Sequence, residues 1–480
     1  MSNTKYNSLP GAKPHPAYGT PPLDKGRGRG WGLFLLLATL LLNACVAQDD
    51  KEVLFSDTEL AIIKTLIYKA PDGEASNQYV NNSAAATLGQ KFFWDPQFSG
   101  DIVVQGNRGA SFAPQTTNGS ARQISCATCH APSFGWADNT SIPNNVSLGA
   151  NLTNRNSPTV LNTSFNTYST WTGGTDSVWA VMRPAIEGPT TQNFSRVGVA
   201  SIICNNATYT ANYTTAFGAP DCTGVPAMTT IAGQTDNWGR NDFASLAAAV
   251  QDRVNLLFAN FGKAIGAYEH LLVSKNSAFD QWAEGNENAM SASQKRGLKI
   301  FIGKGNCVRC HSGPNFSDGS FHNLGVPQIG GALGVLDDGR YTGISDLLTG
   351  SNSTFNTSSG FNATPSVNRV SGLARTDADI GKFKTPTLRS VNKTPPYFHN
   401  GTFNSLWDVV NFYNFAGNAG NFPGTKDPVL TTRRMTNEEM EDLVNFLKAL
   451  EGEALPTSLT TSPGGFGTTS GWCTPPVVCP

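Results

Sequence analysis

Apolar positions recur at helical spacing in several long stretches of the chain. In "FASLAAAVQDRVNLLFANFGKAIGAYEHLL" (243–272) they follow one another every three to four residues, which predicts a long helix. "SLWDVVNFY" (405–413) opens with Ser405 and Asp408 in capping-box relation and sets Leu406, Val409, Val410 and Tyr413 on one face. Thr436 and Glu439 stand in the same relation in "TNEEMEDLVNFLKAL" (436–450), ahead of Met440, Leu443, Val444 and Leu447. Strand-like alternation is scarce, and loops rich in Gly, Pro, Asn and Ser fill the intervals. The expected fold is mainly α, with long loops and few strands.

An internal echo divides the chain. "LGQKFF" (88–93) and "RGLKIF" (296–301) each place a Gly ahead of a bulky apolar pair, and each precedes a Cys-rich run. Two related domains are expected, 53–275 and 276–455, followed by a loosely structured tail, 456–480. At the other end, Lys25, Arg27 and Arg29 precede the apolar run "WGLFLLLATLLL", too short to span a bilayer and laid out as a signal peptide over 1–44. Leu42, Asn43 and Ala44 before Cys45 resemble a bacterial lipobox, with 45–52 as tether, and Val46 favours the outer membrane in that sorting habit. An ordinary secretory signal is the alternative, and either reading exports the protein to the cell envelope.

Charge supports export. Only 14% of the 480 residues are charged, against about 25% in an average soluble protein. With a net charge of −1 and no basic block beyond the leader, nucleic acid is excluded as a partner. Of nine cysteines, Cys45 is the lipid site and four lie in the two Cys-rich runs. Cys204, Cys222, Cys473 and Cys479 are left for two disulfides; proximity favours Cys204 with Cys222 and Cys473 with Cys479, but three connectivities remain open.

The two runs, "SCATCHAPSFGWAD" and "NCVRCHSGPNFSDG", carry the chemistry. Cys126, Cys129 and His130, and again Cys307, Cys310 and His311, form C-x-x-C-H, the attachment motif of c-type haem. Two thiols one turn apart can bond both vinyl groups while the adjacent His ligates the iron from below. A zinc ribbon would need its second Cys pair within about 20 residues. Two covalent haems are therefore expected, with His130 and His311 as proximal ligands. Between His130 and residue 170 there is neither His nor Met, so the first iron is expected to keep an open coordination position, as peroxide binding requires. His322 and His399 are expected as buried hydrogen-bonding partners near the second haem.

The chain resembles the bacterial dihaem cytochrome c peroxidase and MauG superfamily, in its MauG- or MbnH-like branch. "LGQKFFWDPQFSG", "SCATCHAPSFGWAD", "NRNSPTVLN", "FGKAIGAYEHLLVSKNSAFDQW", "GNCVRCHSGPNFSDGSFHNLG", "FKTPTLRSV" and "PPYFHNGTFNSLWDVVNFY" occur in that family's order, over roughly residues 85–450. The resemblance implies two cytochrome c-like haem domains, a peroxide-reactive N-terminal haem, a C-terminal electron-transfer haem, and Trp171 between them. It implies a calcium ion on the Asn156 side chain and the carbonyls of Lys384 and Pro386, a hard-oxygen set. Counting from His399 implies Tyr413 as distal iron ligand where the peroxidases carry Met. The family's pocket Gln falls here on Val181 or Ala185 and its Glu among Thr191, Gln192 and Ser195; Glu187 and Gln192 are the candidates to stand in, as pocket acid and peroxide-orienting amide. The expected function is a MauG-like peroxidase acting on H2O2 and oxidising a protein or small donor. The alternatives are a peroxidase fed by a c-type cytochrome and a dihaem electron carrier without catalysis.

Overall fold

The computed structural model describes residues 53–464 except 72, 106–120, 140–145, 228–242, 329–335, 351, 365 and 418–419. The leader, the lipid-anchor candidate Cys45 and the pair Cys473 and Cys479 lie outside those residues. The described elements are helices and short 3-10 turns joined by long loops, with one antiparallel pair of two-residue strands, Phe321–His322 against Phe383–Lys384. Among the described residues no helix is long and apolar enough to cross a membrane.

The echo in the sequence is a helix crossing used twice. Helix Ser83–Trp94 packs on Ala248–Glu269, and Ala292–Ile302 packs on Asn437–Lys448. At the first crossing a Cβ on Gly89 would fall on the backbone carbonyl of Ala264; at the second, a Cβ on Gly297 would fall on that of Asp442. Glycine lets the two backbones approach, and the bulky pair that follows lies beside the contact.

Helix propensity alone would favour Ala at either Gly by about 1 kcal/mol, whereas overpacking against an obstacle costs about 1–3 kcal/mol. The obstacle is main chain and cannot rotate aside, so the steric cost wins. Gly89→Ala and Gly297→Ala are each expected to lower the urea midpoint at unchanged slope.

Two hydrophobic clusters follow from the crossings. One gathers Phe92, Phe93, Phe261 and Tyr268; the other gathers Leu298, Phe301, Phe316 and Phe446. They do not follow a single cut in the sequence, since Ile63 and Leu66 of helix Asp57–Leu66 join the second and Phe355 joins the first. Thr436 and Glu439 make the full reciprocal capping box. Ser405 makes only the N-cap half of the expected one: its Oγ accepts from Asp408 N, and the Asp408 carboxylate meets the Ser405 hydroxyl instead of its backbone N–H. The long helix begins at Ala248, later than its apolar pattern, with a 3-10 turn at Phe243–Ser245. Cys204 and Cys222 form a disulfide.

The tail expectation needs correction. Residues 456–461 are docked: helix Thr457–Thr460 packs Leu459 on the first cluster, Gln90 Nε2 donates to the Ser458 carbonyl at 2.6 Å, and Tyr268 Oη donates to that of Leu459 at 2.6 Å. Their polar composition concealed this, because the contacts are made largely by carbonyl groups.

Candidate functional site

Both Cys-rich runs are built alike. Helix Cys126–Cys129 puts two thiols one turn apart, and Ser125 N–H is closed off by Thr128 Oγ1 at 3.0 Å. Cys307–Arg309 makes the equivalent 3-10 turn. None of the four cysteines is engaged in a disulfide, which leaves each pair available for thioether attachment. His130 Nδ1 lies 3.3 Å from the Trp136 carbonyl, and His311 Nδ1 lies 2.9 Å from that of Phe316. In each case one ring nitrogen is occupied by a carbonyl and the tautomer leaves Nε2 with its lone pair. Burial lowers the pKa of both histidines, His130 to about 4, which keeps the imidazole in its metal-binding neutral form. Trp136 (φ 62°) and Phe316 (φ 50°) sit in the left-handed region, an uncommon and strained conformation for aromatic residues. That conformation turns the carbonyl back on the His.

A cavity partly open to solvent adjoins the second run. Cys307, Cys310, His311, Trp171, His399 and Tyr413 are among its lining residues. Its largely apolar wall suits a flat macrocycle, and its thiols and imidazole suit the covalent attachment of one. Tyr413 stands on helix Leu406–Asn414, whose Leu406 and Val409 share the lining. Burial, with Cys307 and Cys310 nearby, pushes its phenol pKa up. His322 is clamped, Nδ1 2.7 Å from Asp427 Oδ2 and Nε2 3.0 Å from Asp318 Oδ2. The hydrogen bond to Asp318, then that to Cys310, raises it to about 11. His399 stacks on Phe383 at 3.5 Å, meets Gln328 Nε2 at 3.3 Å, and is lowered to about 3 by burial.

Trp171, Asn156 and Lys384 come together. Trp171 Nε1 donates to the Asn156 carbonyl at 2.8 Å, Lys384 N donates to the Trp171 carbonyl at 2.8 Å, and Asn156 Nδ2 donates to the Pro396 carbonyl at 3.0 Å. Pro386 lines the cavity, with its carbonyl toward His311.

Glu187 and Gln192 are held differently from what a peroxide pocket asks. Arg196 Nε and Arg183 Nε reach Glu187 at 2.6 and 3.1 Å. Burial would raise this carboxyl, but hydrogen bonds and charge from Arg196, with Arg183, hold it below the ordinary range. A carboxylate so paired is a poor proton donor. With its amide set to satisfy both neighbours, Gln192 donates to the Phe98 carbonyl at 2.9 Å and accepts from Cys126 N at 3.2 Å. It fastens the haem-attachment helix, and both residues are better described as positioning groups.

Periodicity and spacing overlooked Glu269, a 5% exposed carboxyl at the end of Ala248–Glu269 that burial raises to about 8 and whose charge Cys126 feels. The available signal was a lone acid closing the apolar run "FANFGKAIGAYE". The two left-handed aromatics were also missed, and only the Gly preceding Trp136 hints at a turn there.

The chain matches the di-haem cytochrome c peroxidase family over residues 83–288. It is 30% identical over 394 residues to the cytochrome-c peroxidase IdrP1 of Pseudomonas sp. (strain SCT), covering 79% of this chain and 84% of that one. It is 29% identical over 437 residues to the methylamine utilization protein MauG of Methylorubrum extorquens, covering 90% and 97%. A MauG-like protein associated with microbial copper homeostasis has a similar fold, at TM-score 0.56 and 21% identity over 82% of this chain and 97% of that one. From two haem-attachment runs built alike and this likeness in sequence and fold, the chain belongs to the di-haem cytochrome c peroxidase and MauG family and is a haem-dependent peroxidase.

Proposed function

We propose that the protein is a MauG-like peroxidase: hydrogen peroxide is taken at the first haem site, and the electrons come from a protein or small donor by way of the second. The observation that carries this reading is Tyr413. Its phenol lines the cavity that also holds Cys307, Cys310 and His311, and among the described residues its hydroxyl has no hydrogen-bond partner. Burial disfavours the phenolate, so a bound cation is what would stabilise it. Haem at each motif supplies the one-electron chemistry and, at an open coordination position, the place for peroxide.

The protein's own groups orient and insulate. His130 and His311 are fixed through Nδ1 by carbonyls, which holds each ring in one orientation. Gln192 and the Glu187 pairs with Arg183 and Arg196 hold the segment after Trp171 against the first attachment helix. Trp171, fixed through both indole and carbonyl, is the relay between the sites. A calcium ion fits the hard oxygens of Asn156, Lys384 and Pro386, since Asn156 Oδ1 has only a 3.4 Å contact with Ser147 Oγ. From its leader the protein is proposed to sit in the bacterial envelope, anchored to the outer membrane at Cys45.

Electron paramagnetic resonance of the oxidised dihaem protein tests the reading. One high-spin and one low-spin ferric signal are expected, with the high-spin signal lost on adding peroxide. Tyr413→Phe is expected to change the low-spin signal and leave the high-spin one. Two low-spin signals indifferent to peroxide, or a low-spin signal unchanged in Tyr413→Phe, would overturn it.

A further inference from the structure

The two haem-attachment sites share a three-ring scaffold on the proximal side. In the first, Phe93, Trp136 and Tyr268 have centroid separations of 6.0, 5.3 and 6.4 Å, taken as Phe93–Trp136, Phe93–Tyr268 and Trp136–Tyr268. In the second, Phe301, Phe316 and Phe446 have 5.9, 5.2 and 6.3 Å in the same order. Phe93 and Phe301 occupy the same place in the sequence echo, and Trp136 and Phe316 both lend a left-handed carbonyl to the proximal His. The scaffold is thus one design used twice with different chemistry. Around His311 its three rings are phenylalanine. Around His130 they include an indole and a phenol, and the residue after Phe93 is Trp94 where the residue after Phe301 is Ile302. Phe316 shows that holding the His needs no indole.

We propose that Trp136, Tyr268 and Trp94 form an oxidisable relay that draws oxidising equivalents from the first haem site on its proximal side. The proposal rests on the reading that peroxide reacts there. Phe93 lies 6.4 Å from the His130 ring and touches the rest of the group. Trp94 Nε1 donates to Tyr268 Oη at 3.2 Å, and Tyr268 Oη donates to the Leu459 carbonyl. A carbonyl cannot accept a proton outright, so Tyr268 keeps its proton and the two indoles, oxidisable without a base, are the main stations.

Tyr268, itself fully buried, separates the indoles from a groove lined by Asn82, Thr87, Gln90, Ser458 and Leu459 among others, with no charged side chain in its lining. Electrons from a donor there cross Tyr268 to reach Trp94. That wall suits a neutral phenol or hydroquinone as donor. The balance is two electrons and two protons per peroxide, giving two waters. Two phenols each release one electron into the relay and one proton to solvent, and their radicals couple. Without a donor, the relay residues are themselves oxidised by the peroxide.

The test treats the dihaem protein with excess peroxide and no donor, then maps oxygen incorporation by peptide mass spectrometry and follows bleaching of the haem band. Oxidation is expected at Trp94 and Trp136, suppressed by hydroquinone. Trp136→Phe and Trp94→Phe are expected to abolish it at the substituted position and to lower severalfold the number of peroxide additions survived. Trp282→Phe, in the other cluster, changes neither. Oxidation confined to Trp171 and Tyr413, or unaltered haem survival in both relay variants, overturns the relay while leaving the peroxidase reading intact. A wild-type protein inert to peroxide overturns both.

Discussion

Replacing Arg389 with methionine is expected to cost about 3–5 kcal/mol of stability, the range for stripping one partner from a buried ion pair. Arg389 is fully buried and meets both oxygens of Asp280 at 2.7 and 3.0 Å. It also donates to the carbonyls of Pro314 at 2.5 Å and Leu66 at 3.2 Å. Burial would raise Asp280, but Arg389 overrules it and holds the carboxyl below its usual range. Without the guanidinium, a buried carboxylate loses its counter-charge, keeping only hydrogen bonds from Ser277 and Tyr68 N, and two carbonyls lose a donor. The loss reaches function because Pro314 belongs to the loop between His311 and Phe316, whose carbonyl orients the His. Urea unfolding should show the drop, and spectra should show disturbance at the second haem before the first. Adding Asp280→Asn to Arg389→Met should restore part of the stability, since it removes the stranded charge; no recovery would mean that the arginine acts by packing alone.

Glu269 makes the second large prediction. Its folded pKa is raised from 4.5 to about 8 by burial. The folded state therefore holds a proton that the unfolded chain releases from about pH 4.5 upward, and this group's contribution falls as pH rises until the folded carboxyl ionises near 8. One pKa unit is about 1.4 kcal/mol, so the cost at the top of the window is on the order of 4 kcal/mol. Glu269→Gln keeps the shape without the ionisation. Its stability should match the wild type near pH 4 and exceed it progressively toward pH 8. Parallel curves for the two proteins in urea unfolding would refute the assignment. His130 and His399, lowered by burial, act in the opposite sense at lower pH and cancel in the comparison.

What the sequence determined by itself was local. Two thiols and a His within five residues define an attachment chemistry whatever surrounds them, and Ser405 with Asp408 or Thr436 with Glu439 start a helix from contacts three residues apart. The echo around Gly89 and Gly297 was legible as repetition, but its cause, a carbonyl of a distant helix against each glycine, was not. Tertiary structure decided the rest. It brought Tyr413 into one cavity with His311, turned Glu187 toward two arginines, docked the polar stretch 456–461, and buried Glu269 without a cation. Tyr413 and His311 stand about a hundred residues apart, and the 456–461 contacts use carbonyls that every residue type carries. Glu187 has its arginines only four and nine residues away, but composition does not say which way it turns, so neither periodicity nor composition registers these features. The same holds for the rings beside the proximal histidines: their identities are in the sequence, but only the folded chain shows that one scaffold was built twice, once with oxidisable side chains and once without.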